Sequence, residues 1–160
     1  MSLDRFVRAQ DDPHAGFDAA LSELRSGRKH GHWIWYVFPQ LGGLGSSSQS
    51  RLYGLASLDE AIEYLQHPVL GPRMSEATRA VVDQIRKGVP LYTLMGSSID
   101  LMKLVSSLTL FEAAAAGVYE QDGVDAHGAL TALADEVLMA AFAEGYPRCQ
   151  TTLARLRVDR

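Results

Sequence analysis

The sequence has a single cysteine, Cys149, so no disulfide can form within the chain. It has no basic start followed by an apolar run, which is the pattern of a signal peptide, and no apolar stretch near the ~20 residues that span a bilayer. A cytoplasmic location and no membrane partner are therefore expected. The phosphate-loop, serine-hydrolase, zinc-protease and paired C-x-x-C motifs are also missing, so no common catalytic class is indicated.

Positive charge is scarce, with 15 Lys and Arg against 19 Asp and Glu, a net charge of -4. The densest basic stretch is short and comprises Arg25, Arg28, Lys29, His30 and His32. Proteins that bind duplex nucleic acid usually present a longer basic surface, so we expect no such partner. The stretch could hold one or two phosphates, or it could be the solvated end of a helix.

The patterns that are present predict an all-α, compact multi-helix single domain spanning residues 1–160, with about seven helices. Hydrophobic residues make up 47% of the chain, enough for one core. Apolar residues recur at helical spacing, and serine, proline and glycine mark the ends. Helical segments are predicted at 3–7, 15–26, 57–66, 68–88, 90–95, 99–116, 130–145 and 149–156. The segments 41–50 and 118–128 are predicted to be loops.

The segment HWIWYVFPQ, residues 32–40, is apolar and aromatic, and its periodicity does not distinguish a strand from a buried helix. No neighbouring segment offers a partner strand, and a lone strand would leave backbone groups unpaired. We therefore predict a buried helical turn that ends at Pro39.

The first candidate site includes this segment and the basic residues before it: Arg28, Lys29, His30, His32, Trp33 and Trp35. Indole faces can stack on a base or sugar, while the two cations neutralise phosphate. The alternative is that the indoles belong to the core and the cations cover a helix end. The two histidines have a spacing compatible with metal binding, but no further ligands accompany them, so neither a metal nor a cofactor is predicted.

Two more polar clusters follow. Gln40 and the serines of the loop LGGLGSSSQS that follows it, Ser47 included, can form neutral hydrogen bonds with a ligand. The glycines of the loop let a ligand approach the backbone closely. The alternative is an ordinary surface loop. The predicted central helix carries a polar cluster of Asp100, Lys103, Ser106, Ser107 and Thr109. Of these, Asp100, Lys103 and Ser107 fall within about 60° of one another. This stripe faces a polar cavity or, alternatively, forms a simple Asp100–Lys103 pair at the surface.

The chain resembles domain-of-unknown-function family 1810, a group of small helical bacterial proteins. The resemblance rests on the segments LDRFVRAQ, GRKHGHWIWYVFPQLGGLGSSSQS, SLDEAIEYLQHPVLGPRM and IDLMKLVSSLTLFE, which occur in the expected order. It implies an all-helical domain with HWIWYVF as helix, and it implies no activity. The family usually has an acid before the threonine of the last helix, whereas Arg148, Cys149 and Gln150 precede Thr151 here. A fainter resemblance is to helical proteins that bind or act on ADP-ribose-like nucleotides.

Two functions are compatible with these residues. The first is a small-ligand site, enzymatic or not, for a phosphorylated nucleotide or sugar such as an ADP-ribose-like molecule. Its catalytic candidates are Asp100, oriented by Lys103, and His32; its binding candidates are Arg28, Lys29, Trp33, Trp35, Gln40, Ser47 and Ser107. The second is a non-catalytic protein-interaction module anchored by the aromatic run. The first requires Trp35, Gln40, Asp100 and Lys103 to line a common cavity, and the second requires the aromatic residues to be exposed.

Overall fold

Residues 2–158 are described by a computed structural model, and over that range the chain is helical with no strand. Ten helices follow one another: α1 (Asp4–Gln10), α2 (Phe17–Arg25), α3 (Ile34–Val37), α4 (Ser48–Leu52), α5 (Leu58–Gln66), α6 (Leu70–Arg86), α7 (Leu91–Met95), α8 (Ser98–Asp122), α9 (Asp125–Ala143) and α10 (Gln150–Val158).

Serine side chains cap the N-termini of α4, α5 and α8. The Ser57 hydroxyl accepts a hydrogen bond from the Glu60 N–H at 3.2 Å, and the Glu60 carboxylate accepts one from Ala56 N–H at 3.0 Å. Ser97 caps α8 in the same way, with its hydroxyl 3.1 Å from the Asp100 nitrogen. Such caps satisfy backbone donors that have no partner inside the helix. The caps predicted from sequence at α5 and α8 are confirmed.

The helix α8 lies at the centre of the core and packs mainly against α9 and α5. The helix α9 also packs against α6, and α2 covers another face of α6. A run of aromatic contacts joins the outer helices to the centre: the rings of Phe6 and Tyr64 are 5.3 Å apart, and those of Tyr64 and Phe111 are 5.2 Å apart. Apolar burial on this scale is the main stabilising contribution in such a fold.

The predicted buried turn in HWIWYVF is confirmed as α3, a single turn whose Ile34 and Val37 side chains are buried. The prediction that the central helix ends at Gly117 is wrong. The helix continues because Val118 is fully buried, and it ends only at Gly123, which adopts φ +63. The predicted loop 118–128 therefore shrinks to two residues between α8 and α9.

The all-α class is confirmed, whereas the expected number of about seven helices is too low. One additional helix, α4, is not predicted from the sequence; it begins at Ser48, within the segment 41–50 that is predicted to be a loop. The other nine helices each overlap a predicted helical segment, α3 the turn in 32–40 and α7 the segment 90–95. The rest of the difference therefore comes from counting such short segments as helices in their own right.

Two helices, Ser98–Asp122 and Asp125–Ala143, are long and apolar enough to cross a membrane by length and composition alone, contrary to the expectation that no stretch would be. In the most apolar window of the first helix, 61% of the residues are buried inside the fold. A core helix passes the same length and composition test, so the finding is weak evidence for a membrane segment.

Candidate functional site: the Lys103 groove

One face of the N-terminal half of α8 is turned away from the core. Ile99, Met102, Lys103 and Ser106 lie three or four residues apart and therefore share a side of the helix. They form one wall of a surface groove of about 340 Å³, which we call the Lys103 groove. A groove of this size is within the usual range for small-molecule sites.

The other walls come from two distant segments. The loop after α3 contributes Gln40, Leu44 and Gly45, and the start of α10 contributes Cys149 and Thr151. An adjoining groove of about 450 Å³ shares Met102, Ser106 and Cys149 with the Lys103 groove and continues along Gly145, Tyr146, Pro147 and Arg148.

Backbone pairing fixes the loop that carries Gln40. Its carbonyl accepts a hydrogen bond from Leu55 N–H at 2.9 Å, and the Leu55 carbonyl accepts one from Gly42 N–H at 2.8 Å. A Cβ on Gly54 would lie 2.6 Å from the Gly42 Cα, so this close approach requires glycine.

The last helix is tied to the same loop. The guanidinium of Arg155 donates hydrogen bonds to the carbonyls of Gly42 and, at 3.1 Å, of Ala56. This contact holds the start of α10 beside the loop and closes the Lys103 groove.

The ammonium of Lys103 is the charged group of the groove. It lies 4.6 Å from the centre of the Trp35 ring, and no carboxylate oxygen within residues 2–158 comes within 4.0 Å of it. No aspartate or glutamate lines either the Lys103 groove or its neighbour. In a chain with a net charge of -4, this is a locally positive surface.

The thiol of Cys149 opens into both grooves at the N-terminal end of α10. Burial by itself would raise the pKa of this thiol, but hydrogen bonds from the Ser106 hydroxyl and from the N–H groups of Thr152 and Thr151 hold it below its ordinary value.

The predicted pairing of Asp100 with Lys103 is wrong. The Asp100 carboxylate instead accepts a hydrogen bond from the Lys29 ammonium at 2.7 Å. The Lys29 side chain is only 4% exposed, and its ammonium also donates to the Gly31 carbonyl. Because Lys29 is buried, its charge is held in this ion pair and does not lie at a solvated helix end. Neither Lys29 nor Asp100 lines the Lys103 groove.

The indole of Trp33 belongs to the core, as the alternative interpretation held. It is 0% exposed, and its Nε1–H donates to Glu23 at 3.0 Å. The same carboxylate oxygen accepts from the N–H groups of His30 and Gly31 at 2.6 and 2.8 Å. Trp33 therefore cannot stack on a ligand, and the Lys103 ammonium lies over the ring of Trp35.

The other predicted residues are dispersed. Arg28 and His32 are exposed and outside the Lys103 groove. The Ser47 hydroxyl caps α4 by accepting from Ser50 N–H at 3.1 Å. Ser107 is fully buried, and its hydroxyl has no partner in the part of the chain that the structure describes. Of the four residues required to line a common cavity, only Gln40 and Lys103 do. The requirement is therefore not met as stated: Asp100 is paired with Lys29, which removes its predicted catalytic role, and Trp35 contacts the groove only through Lys103.

Sequence reasoning placed Ser106 in the polar cluster but selected Ser107, and it assigned no role to Cys149 or Thr151. The available signal was the helical position: Ser106 is three residues after Lys103 and seven after the exposed Ile99, whereas Ser107 follows the buried Leu104 by three. Among residues 2–158, no group of three or more His, Cys, Asp or Glu side chains could hold a metal ion.

Comparisons with known proteins agree with the fold. A family model described as Protein of unknown function (DUF1810) matches residues 1–126. The solved structure of the conserved hypothetical protein Rv1873 from Mycobacterium tuberculosis is 40% identical, with a TM-score of 0.74. That match covers 97% of this chain and 96% of the other. A search of curated proteins gives no match.

Proposed function

The chain belongs to the DUF1810 family, as the sequence resemblance indicated, and we propose that it binds a small phosphorylated ligand in the Lys103 groove. The observation that carries this proposal is the Lys103 ammonium, which faces a groove without acidic residues and has no carboxylate partner among the described residues. An unpaired cation beside neutral hydrogen-bonding groups is suited to a phosphate.

The remaining lining supports the same ligand chemistry. Gln40, Ser106 and Thr151 supply an amide and two hydroxyls around the cation, and Gly45 leaves the backbone accessible. Leu44 and Met102 provide apolar contact for the body of the ligand. The combination of a few polar groups with apolar walls is typical of small-molecule sites.

The position of the tryptophans narrows the ligand class. Trp33 is buried, and Trp35 packs against the core with the Lys103 ammonium over its ring, so neither indole is well placed to stack on a nucleobase. A phosphorylated sugar therefore fits the groove better than a nucleotide held by base stacking. An ADP-ribose-like molecule would bind through its phosphate and ribose groups.

The interaction-module alternative has less support. Its proposed anchors were aromatic, but Trp33 and Phe38 are 0% and 1% exposed. Interface hot spots need accessible aromatic side chains, and in this segment only Trp35 and Tyr36 are half-buried rather than buried.

The test is a thermal-shift and calorimetric titration of the full chain with ribose 5-phosphate, ADP-ribose and inorganic phosphate. A ligand at about 100 times its dissociation constant stabilises the folded state by ~2.7 kcal/mol. The substitution Lys103→Met should weaken binding about tenfold, because it removes a charge-assisted hydrogen bond.

The matched control is Lys87→Met, which removes an exposed lysine at the end of α6 and should leave the affinity unchanged. Absence of binding by all three compounds, or an equal loss of affinity in both variants, would overturn the proposal.

A further inference from the structure

A second groove, of about 640 Å³, lies between the α5–α6 junction and the α8–α9 junction. Two imidazoles line it, His67 from the first junction and His127 from the second. We call it the His127 groove. It shares no residue with the Lys103 groove, so a ligand bound here is independent of the proposed function.

The backbone fixes the tautomer of His67. Its Nδ1 accepts hydrogen bonds from the N–H groups of Val69 and Leu70 at 3.1 and 3.3 Å. An accepting Nδ1 carries no proton, so the neutral ring has its proton on Nε2. His67 is therefore a hydrogen-bond donor at Nε2.

The opposite tautomer is set at His127. Its Nδ1 lies 3.1 Å from the Asp122 carboxylate, which holds the proton on Nδ1 and leaves a lone pair on Nε2. The Asp122 carboxylate is itself oriented by the Val124 N–H at 2.8 Å. That hydrogen bond, followed by the contact with His127, holds the pKa of Asp122 below its ordinary value, so the carboxylate stays charged. When the ring is neutral, His127 is therefore a hydrogen-bond acceptor at Nε2.

Close packing of the two helices holds His67 at the groove. A Cβ on Gly71 would lie 2.1 Å from the Leu65 carbonyl oxygen, so only glycine allows α6 to begin this close to the end of α5. The consequence is that the α5–α6 connection is short and His67 has little freedom to leave the groove.

The walls between the imidazoles are mainly apolar, with one cation, Arg79, and two acids, Glu76 and Asp122, among them. Apolar contact comes from Leu65, Pro68, Pro72, Ala126 and Leu130. Arg79 lines the same groove, and within residues 2–158 no carboxylate oxygen lies within 4.0 Å of its guanidinium. Both acids of the groove already have a partner: Glu76 lies 3.3 Å from Arg25, and Asp122 lies 3.1 Å from His127. Arg79 is therefore the charged group left without a partner of opposite charge among the described residues.

We propose that the His127 groove binds a small organic acid with an apolar body and a hydroxyl group. Arg79 and the Nε2–H of His67 take the carboxylate, the apolar walls take the body, and the Nε2 of His127 accepts a hydrogen bond from the hydroxyl. This ligand differs from that of the Lys103 groove because the walls here are apolar rather than hydroxyl-rich.

The test follows the histidine side-chain nitrogens of the full chain by NMR at pH 8. The free protein should show the proton on Nε2 of His67 and on Nδ1 of His127. The probes are 4-hydroxybenzoate, 4-methoxybenzoate, which lacks the donor hydroxyl, and phenol, which lacks the carboxylate. We expect saturable shifts of both histidines with 4-hydroxybenzoate and at least fivefold weaker binding of the other two.

Substitution separates this binding from general surface effects. Arg79→Gln should weaken 4-hydroxybenzoate about tenfold, while Arg8→Gln, on an exposed arginine of α1, should not. Both positions are exposed, so both variants should fold. The proposal is overturned by reversed tautomers, by no saturable shift, by equal affinity of all three probes, or by an unchanged affinity in Arg79→Gln. A loss caused by Lys103→Met would also overturn it.

Discussion

Two lysines of this chain lie over the face of a tryptophan, and their surroundings are opposite. The ammonium of Lys29 is 4.9 Å from the Trp33 ring centre, buried, and bonded to Asp100. The ammonium of Lys103 is 4.6 Å from the Trp35 ring centre, borders a groove, and has no carboxylate within 4.0 Å among residues 2–158.

The difference shows that a lysine beside an indole has no fixed role. The Lys29 ammonium donates to the Gly31 carbonyl and to the Asp100 carboxylate, because an unpaired buried charge would be costly. Lys103 has no such partner among the described residues and borders an open groove, so its charge costs little to keep and is accessible to a ligand. Burial, rather than residue type, separates a stabilising cation from a binding one.

The largest expected effect distinguishes the two lysines by stability. Lys29→Met should lower the free energy of unfolding by about 2–3 kcal/mol, because Asp100 loses its partner; the figure is below that for a fully buried pair since the Asp100 side chain is 21% exposed. Lys103→Met should change it by less than about 0.5 kcal/mol. Urea denaturation monitored by circular dichroism measures both.

A double-mutant cycle of Lys29→Met with Asp100→Asn checks the cause. The two losses should be non-additive by at least about 1 kcal/mol, because the second substitution removes the carboxylate that the first leaves unpaired. Additive losses would contradict the role of the ion pair.

A smaller effect concerns the loop that carries Lys29. Glu23→Gln should cost about 1–2 kcal/mol at pH 7, because it weakens three hydrogen bonds from the segment 30–33. The control is Asp18→Asn, on the exposed face of α2, which should leave the free energy of unfolding unchanged. Leu24→Ala is unsuitable as a control because the Leu24 side chain is buried.

The same substitution should alter the pH dependence of folding. Burial would raise the pKa of Glu23, but the N–H groups of Gly31 and His30 hold it below its ordinary value. A carboxyl with a lowered pKa in the folded state contributes stability above its unfolded pKa of about 4.3, and that stability is lost as the pH falls through the folded pKa. Wild type and Glu23→Gln should therefore converge in stability between about pH 5 and pH 3. A constant difference over this interval would refute the account.

The smallest effect lies on the Lys103 side. Ser47→Ala should destabilise the chain by about 0.5–1 kcal/mol, because it removes the cap of α4. Binding of ribose 5-phosphate should be unaffected, since Ser47 does not line the groove. If Ser47→Ala instead weakened the binding of ribose 5-phosphate and left stability unchanged, Ser47 would belong to the ligand site.

Much of the fold can be predicted because one-sided burial leaves a period in the sequence. The repeat Leu70, Met74, Ala77, Val81 and Ile85 predicted α6, and the first four are buried while Ile85 is half-buried. Gly117 led to a wrong predicted end for the central helix, because a glycine inside a helix costs only about 1 kcal/mol, which packing easily offsets. The helix α4 escaped prediction because its five residues are mostly polar and its cap lies in a serine run.

The site could be predicted only in part. The grouping of Gln40 with Lys103 is reproduced, because both lie on surfaces that the core does not use. The pairing of Asp100 failed because its partner is 71 residues away in the chain. Spacing on a helix identifies possible neighbours, but only tertiary packing decides which charge reaches them.

The anchoring of α10 by Arg155 bears on how ligand preference could diverge among relatives. The family model ends at residue 126, yet one wall of the Lys103 groove comes from Cys149 and Thr151. A relative that kept residues 1–126 and carried a different continuation would inherit Gln40 and Lys103 and oppose them with other side chains. Residues 1–126 would then determine the sign of charge that the groove accepts in a ligand. The residues after 126 would determine which shape of ligand fits.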